Sequence, residues 1–340
     1  MNTAHVPGLD PGLAAKRAFL ESGVAWPGEP PPICIETHAS LVFLTRDRAF
    51  KLKKPVQMPH ADMRSLAARQ HFCAEELRLN RELAGPVYRG LVALTVGPDG
   101  ALALGGAGRV VDWLVEMDRL PAAMMLDQRI LHGPPPDRTE VARIAARLAG
   151  FYAGQRPSPA HAAACHARLT RELQTDIAHL REMADQIGGE PLGDLAAHAT
   201  ARLQAARPEI AERASAGLVV EGHGDLRAEH VCLLDPPVLF DRVEFDHDFR
   251  LIDPHDEIAA LGLDCARLGA PWIGPALHRH LVAAGLAAPS AGLLTLYKVL
   301  RCLTQARLAI DHLRDAHPRT PAKWAPRARW FIAAARGCCC

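Results

Sequence analysis

Apolar positions along this chain follow two regimes, and the change comes near Pro121. From Ile33 onward the runs ICIE, LVFLT, AFKLKK, LVALTV, ALALGG and RVVDWLVEM are short and alternate with polar positions. Turn signals such as TRDR and GPDG separate them, so the pattern predicts antiparallel strands, with a hairpin across GPDG. Among them, a stretch from about Met63 to Leu83 carries Leu66, Phe72, Leu77, Leu79 and Leu83 at helical spacing. Residues 33–117 are therefore expected to form a five-stranded sheet with one long helix. Residues 1–32, rich in Pro and Gly, read as an extension with a short amphipathic piece and a loop, GEPPP.

Beyond Pro121 the apolar residues recur every three or four positions, as in TEVARIAARLAGFYAG and LLTLYKVLRCLTQARLAIDHLRD. Each such stretch is expected to bury one face as a helix, giving a helical part over 118–336. One interval breaks this regime. Residues 217–252 are dense in polar, charged and β-forming residues, and VCLL and VLFD flank DPP, which predicts a short hairpin.

The chain has 340 residues, more than one hydrophobic core usually supports, so two lobes are expected. Its formal net charge of +1 lacks the basic excess of a dedicated nucleic-acid binder, and no nucleic-acid partner is expected. No apolar run approaches the roughly 20 residues that span a bilayer, and the first residues lack the order of a secretory signal. A cytoplasmic location without membrane association follows as an expectation. The nine cysteines include no CxxC pair. They are expected to be reduced and packed as small hydrophobes, with 337–340 a frayed cysteine tail.

The unusual interval holds an ordered set: His223-Gly224-Asp225, Arg227, His230, Asp241, Glu244, then Asp253 to Glu257. One acid in a turn before a hairpin and another after its return strand are expected to lie near each other. Phosphoryl transfer uses such a pair, one carboxylate orienting the attacking hydroxyl and one holding Mg²⁺. Asp253 and Asp256 are expected to cap the next helix instead.

The segment HGDLRAEHVCLL resembles the catalytic loop of the aminoglycoside phosphotransferase family and, more distantly, that of protein kinases. ETHASLVFLTRDRAFKLKKPV, EELRLNRELA and DPPVLFDRVEFDHDFRLIDPHDEIA are similar to a phosphotransferase-like module often fused to a P-loop ATPase domain. No GxxxxGK[ST] occurs here, so a stand-alone or truncated version is expected, with a P-loop ATPase as a partner. The resemblance implies a bilobal, protein-kinase-like α+β fold that uses ATP, or GTP, with Mg²⁺, or Mn²⁺, and transfers phosphoryl to a hydroxyl of a small molecule or of a protein. It implies Asp225 as the catalytic-loop aspartate that orients or deprotonates the acceptor hydroxyl, and Asp241 as metal ligand. It also implies Lys51 on the phosphates, Glu76 as the ion-pair partner of that lysine, and Glu257 as the buttress of the catalytic loop. Lys53 shares the strand face of Lys51, so the register can slip to it. The adenine-contacting hinge falls at Glu116, Met117 and Asp118.

Three departures from the family pattern matter. His230 stands where the second metal ligand is an asparagine, and imidazole is a softer ligand than an amide oxygen. Arg227 replaces the usual histidine or lysine and is suited to neutralising charge on the transferred phosphoryl. THAS at 37–40 lacks the glycines of a phosphate-covering loop, leaving backbone amides with the Thr37 and Ser40 hydroxyls. His230 also motivates an alternative, a catalytically weak or inactive nucleotide-binding pseudokinase. A histidine metallohydrolase built on His223, His230, His247 and His255 is the weaker third reading, because their spacing puts no set on one helix face. The acids open to a polycationic acceptor, Asp246, Asp248, Asp256 and Glu257, are few, so an aminoglycoside substrate does not follow from the family.

Overall fold

The alternating runs form β1 (Ile33–Glu36), β2 (Ser40–Leu44), β3 (Arg48–Lys53), β4 (Tyr88–Val96), β5 (Leu102–Leu104) and β6 (Arg109–Asp118). They make one antiparallel sheet in the order β1-β2-β3-β6-β4-β5. The sheet has six strands, not five, because both arms of the GPDG hairpin pair, Leu94 with Leu104 and Val96 with Leu102. The computed structural model describes residues 10–58, 60–155, 159–188, 192–314 and 320–339. Residues 1–9 of the expected N-terminal extension and Cys340 of the expected tail lie outside them.

By its contacts the chain divides into two units, Met1–Ala122 with Val238–Asp246, and Ala123–Pro237 with His247–Cys340. In the first, α1 (Leu13–Glu21) packs on the sheet. Leu20 is fully buried, and Trp26 joins Phe50, Leu52, Phe43 and Leu114 in one apolar cluster. The residues read as an extension therefore supply part of the sheet's core. A buried ion triad fixes them there: Asp112 of β6 accepts from Lys16 of α1 at 2.9 Å and from Arg69 at 2.8 Å. The long helix, α2 (Leu66–Ala84), starts three residues after Met63 because the Ser65 side chain accepts from the Ala68 N–H and caps it.

The second unit is helical. It contains α3 (Leu126–Leu131), α4 (Arg138–Gly154), α5 (Pro159–Glu182), α6 (Gly193–Ala205) and α7 (Arg207–Ser215). After the polar interval come α8 (Pro254–Leu268), α9 (Ile273–Ala283), α10 (Ala291–Asp311) and α11 (Trp324–Cys339). The three- and four-residue spacing does what it predicts. Leu173, Ile177 and Leu180 of α5 meet Leu296, Leu300 and Leu303 of α10 and Phe331 of α11 in one core. Helix α11 runs on to Cys339, and Cys338 packs partly buried against that core, so residues 337–339 of the expected frayed tail are helical instead. The other described cysteines are free thiols, five of them buried. Among the described residues no helix is long and apolar enough to cross a membrane.

Leu20→Ala is expected to cost about 2–5 kcal/mol, the usual range for truncating a fully buried leucine. Urea denaturation checks it; a change within a few tenths of a kcal/mol would mean that α1 is dispensable to the sheet.

Candidate functional site

In the first unit, β3 sorts its residues by alternation. Phe50 and Leu52 enter the apolar cluster, while Lys51 and Lys53 point to the other face. There both reach Glu76 of α2: Lys51 Nζ lies 2.9 Å from Oε1 and Lys53 Nζ 2.6 Å from Oε2. Lys51 also contacts Asp241 at 2.6 Å, and Lys53 pairs with Glu244. The two registers left open for the lysine are thus both used by one carboxylate. The Glu76 side chain is wholly buried and that of Lys53 almost so.

The segment 238–246 joins this unit through polar contacts. The Asp241 N–H donates to the Tyr88 hydroxyl at 3.3 Å, and the Arg242 N–H to Asn80 Oδ1 at 2.8 Å. The buried Arg242 guanidinium meets Glu82 at 3.0 Å. Asp241 itself has φ +63°, in the left-handed region that costs a non-glycine residue energy and recurs at functional sites. Burial alone would lower the Lys51 ammonium, but the charges of Asp241, Glu76 and Glu244 outweigh it and hold its pKa well above the usual value. Burial would raise Glu76, yet the two lysines win and keep it below the ordinary carboxylate value.

Glu116, Met117 and Asp118 lie at the end of β6. Glu116 pairs with Phe50 and Gly90, and Met117 with Ala49 and Tyr88, so the ladder continues on both sides. Asp118 binds Arg48 and accepts from Arg89 at 2.6 Å, and the Arg119 N–H still donates to Asp47 O at 2.9 Å. In the β1–β2 turn the Ser40 N–H donates to Thr37 Oγ1 at 3.0 Å and the Thr37 N–H to Ser40 O at 2.8 Å. Much of that turn's donor capacity is spent within it.

In the second unit a carboxylate shapes the HGD loop. Glu257 of α8, almost fully buried, accepts from the N–H groups of His223 at 3.0 Å and Gly224 at 2.7 Å, and from the Tyr152 hydroxyl at 2.7 Å. The Glu257 carboxylate comes so close that a Cβ on Gly222 would sit 2.7 Å from its Oε2, so glycine is required there. His230 Nδ1 lies 2.8 Å from the Asp225 carbonyl oxygen; a carbonyl only accepts, so Nδ1 carries the proton. The Asp225 side chain is about one-third exposed, with Arg227 Nε 3.4 Å from its Oδ2. Asp253 caps α8 by accepting from the His255 N–H and pairs with Arg213 at 2.6 Å; Asp256 is clamped by Arg301. The capping expectation holds for Asp253, while Asp256 serves as an ion-pair partner.

Sequence reading missed Glu244, Tyr88, Asn80 and Tyr152. Glu244 stood in the acidic series without a partner. The other three carried no signal beyond their residue type. Among the described residues no group of three or more His, Cys, Asp or Glu is arranged to hold a metal ion.

No protein-family model matches the chain. Uncharacterized proteins of Mycobacterium tuberculosis and Mycobacterium bovis are 30% identical over 291 residues, 84% of this chain and 56% of theirs. The chain thus spans about half the length of the curated relatives it matches. A solved structure, the GDP complex of aminoglycoside 2'-phosphotransferase-IIIa, matches with a TM-score of 0.56 at 14% identity over 95% of this chain and 97% of that one. A choline kinase from Cryptosporidium parvum matches with a TM-score of 0.52 at 9% identity, over 95% and 96%.

Glu76→Gln removes the charge between two buried lysines and is expected to cost about 3–5 kcal/mol near neutral pH, read by urea denaturation. Because the folded protein holds Glu76 below its ordinary pKa of 4.5, its stabilisation is present above that pH and is lost as pH falls through the lower value. The gap between wild type and variant should narrow on acidification below about pH 4.5. A gap independent of pH would contradict the charged cluster.

Proposed function

The chain has the protein-kinase-like α+β fold of aminoglycoside phosphotransferases and choline kinases, and from that premise we propose that it is a nucleotide-dependent phosphotransferase with an alcohol hydroxyl as acceptor. The observation that carries this reading is the contact of Lys51 with both Glu76 and Asp241, a cation held between a helix carboxylate and a strained aspartate. That arrangement suits a lysine that binds nucleotide phosphates and is kept in place by the helix.

In this reading Lys51 holds the α- and β-phosphates of ATP, or of GTP, since structures of this fold include GDP complexes. Lys53 keeps Glu76 and Glu244 neutralised behind it. Adenine-side contacts fall to the end of β6, at Glu116, Met117 and Asp118 or just beyond. Asp241 offers a partly exposed carboxylate oxygen, a hard donor that fits Mg²⁺, which takes one or two protein carboxylates and completes its shell with phosphate oxygens and water. Bound there with the nucleotide, Mg²⁺ would neutralise phosphate charge. His230 is the second ligand proposed, through Nε2, and imidazole suits Mn²⁺ better.

Asp225 accepts the proton of the acceptor hydroxyl as its oxygen bonds to the γ-phosphorus and the bond to the β,γ-bridging oxygen breaks. Arg227, 3.4 Å from Asp225, neutralises charge on the transferred group. The pseudokinase alternative rests on His230 alone, and its bond to the Asp225 carbonyl gives that imidazole a task compatible with an active loop. A nucleotide donor fits a cytoplasmic reaction. A P-loop ATPase module is proposed as partner on the resemblance of the segments around Lys51, Glu76 and Asp241 alone.

Transfer from radiolabelled ATP to a panel of hydroxyl metabolites, with Mg²⁺ or Mn²⁺, tests the reading. Asp241→Ala should abolish turnover, and Asp225→Asn should lower it about 10²–10⁴-fold. Full activity in either variant rejects the assigned roles.

A further inference from the structure

Cations crowd the loop that carries Asp225. Besides its approach to Asp225, Arg227 lies 2.6 Å from Glu229. The next residue, Ala228, donates its N–H to Asp264 of α8 at 3.1 Å. Asp264 also takes Arg267 at 2.8 Å and faces Arg327 of α11 at 3.9 Å. Lys323, directly before α11, holds its ammonium 4.6 Å from the centre of the Trp324 ring. A helix start is where acids ordinarily stand, yet the first turn of α11 has none.

Arg267 and Arg327 therefore share one carboxylate, with Lys323 beside them. Burial first, then Arg267 and Arg227, lower the pKa of the Arg327 guanidinium against the opposing pull of Asp264 and Glu229. Partial burial and Arg327 likewise lower that of Lys323 against the opposing pull of Glu229. Both cations sit where a further negative charge would be stabilised. Of the four acids that a cationic acceptor could use, Asp256 is engaged by Arg301 and Glu257 by the loop's N–H groups, while Asp246 and Asp248 stand outside this loop.

We propose that the acceptor is anionic, a hydroxyl compound whose carboxylate or phosphate group is held near Asp225 by Arg227, Arg267, Lys323 and Arg327. This rests on the phosphotransferase reading above and names its substrate class, one opposite in charge to an amino sugar or to choline.

Steady-state transfer from labelled ATP is measured across matched acceptors: hydroxy acids, sugar phosphates, neutral sugars of the same skeletons and amino sugars. An anionic acceptor should exceed its neutral analogue at least about tenfold in kcat/KM. Lys323→Gln and Arg327→Gln should each raise the ratio of acceptor KM to nucleotide KM about tenfold, and Lys323→Arg should restore it. Lys323 is exposed, so its variants keep the test open if Arg327→Gln fails to fold. The hydroxy-acid and sugar-phosphate arms tell carboxylate from phosphate recognition. Preference for neutral or amino sugars, with ATP consumption still dependent on Asp241, overturns the anionic acceptor and leaves phosphotransfer standing. Absence of any Asp241-dependent ATP consumption overturns both.

Discussion

A carboxylate sealed from water cannot stay charged alone, and Glu76 is answered by two ammonium groups at once. Each lysine then needs a further anion, which Asp241 and Glu244 supply. The chain of requirements explains why residues 238–246, far along the sequence, belong to the sheet unit. It also explains why Asp241 tolerates a left-handed backbone, since the Tyr88 hydroxyl and Lys51 hold it from both ends. A helix, a central strand and a late segment are tied together by charge satisfaction.

The HGD loop obeys a related rule. Its backbone N–H groups at His223 and Gly224 find their acceptor in Glu257, whose third bond comes from Tyr152. His230 and Asp264 then tie down the carbonyl of Asp225 and the amide of Ala228. Asp225 is left with a loop shape that side chains on α4 and α8 impose.

Much of this was legible in the sequence. Period-two alternation placed Lys51 and Lys53 on one face of β3, and HGDL followed by an apolar run and a second acid marked the loop and Asp241. The buttressing role of Glu257 came with the family resemblance and appears in the hydrogen bonds. What stayed hidden was mostly polar and buried. Helical periodicity treats Arg69 and Asn80 as a solvated face, yet both are buried, because their partners lie on strands and loops that no local pattern names. Local pattern likewise could not attach α1 to the sheet, since the Lys16–Asp112 pair joins residues almost a hundred positions apart.

Nucleotide affinity of Lys51→Met, compared with wild type by calorimetric titration of ATP and Mg²⁺, tests the central claim most directly. Methionine keeps the stem of the side chain and removes the charge, while Lys53 still answers Glu76. Affinity should fall about 10–100-fold, the worth of a hydrogen bond to a charged group. Unchanged affinity in a folded variant would contradict the assignment of Lys51 to nucleotide phosphates.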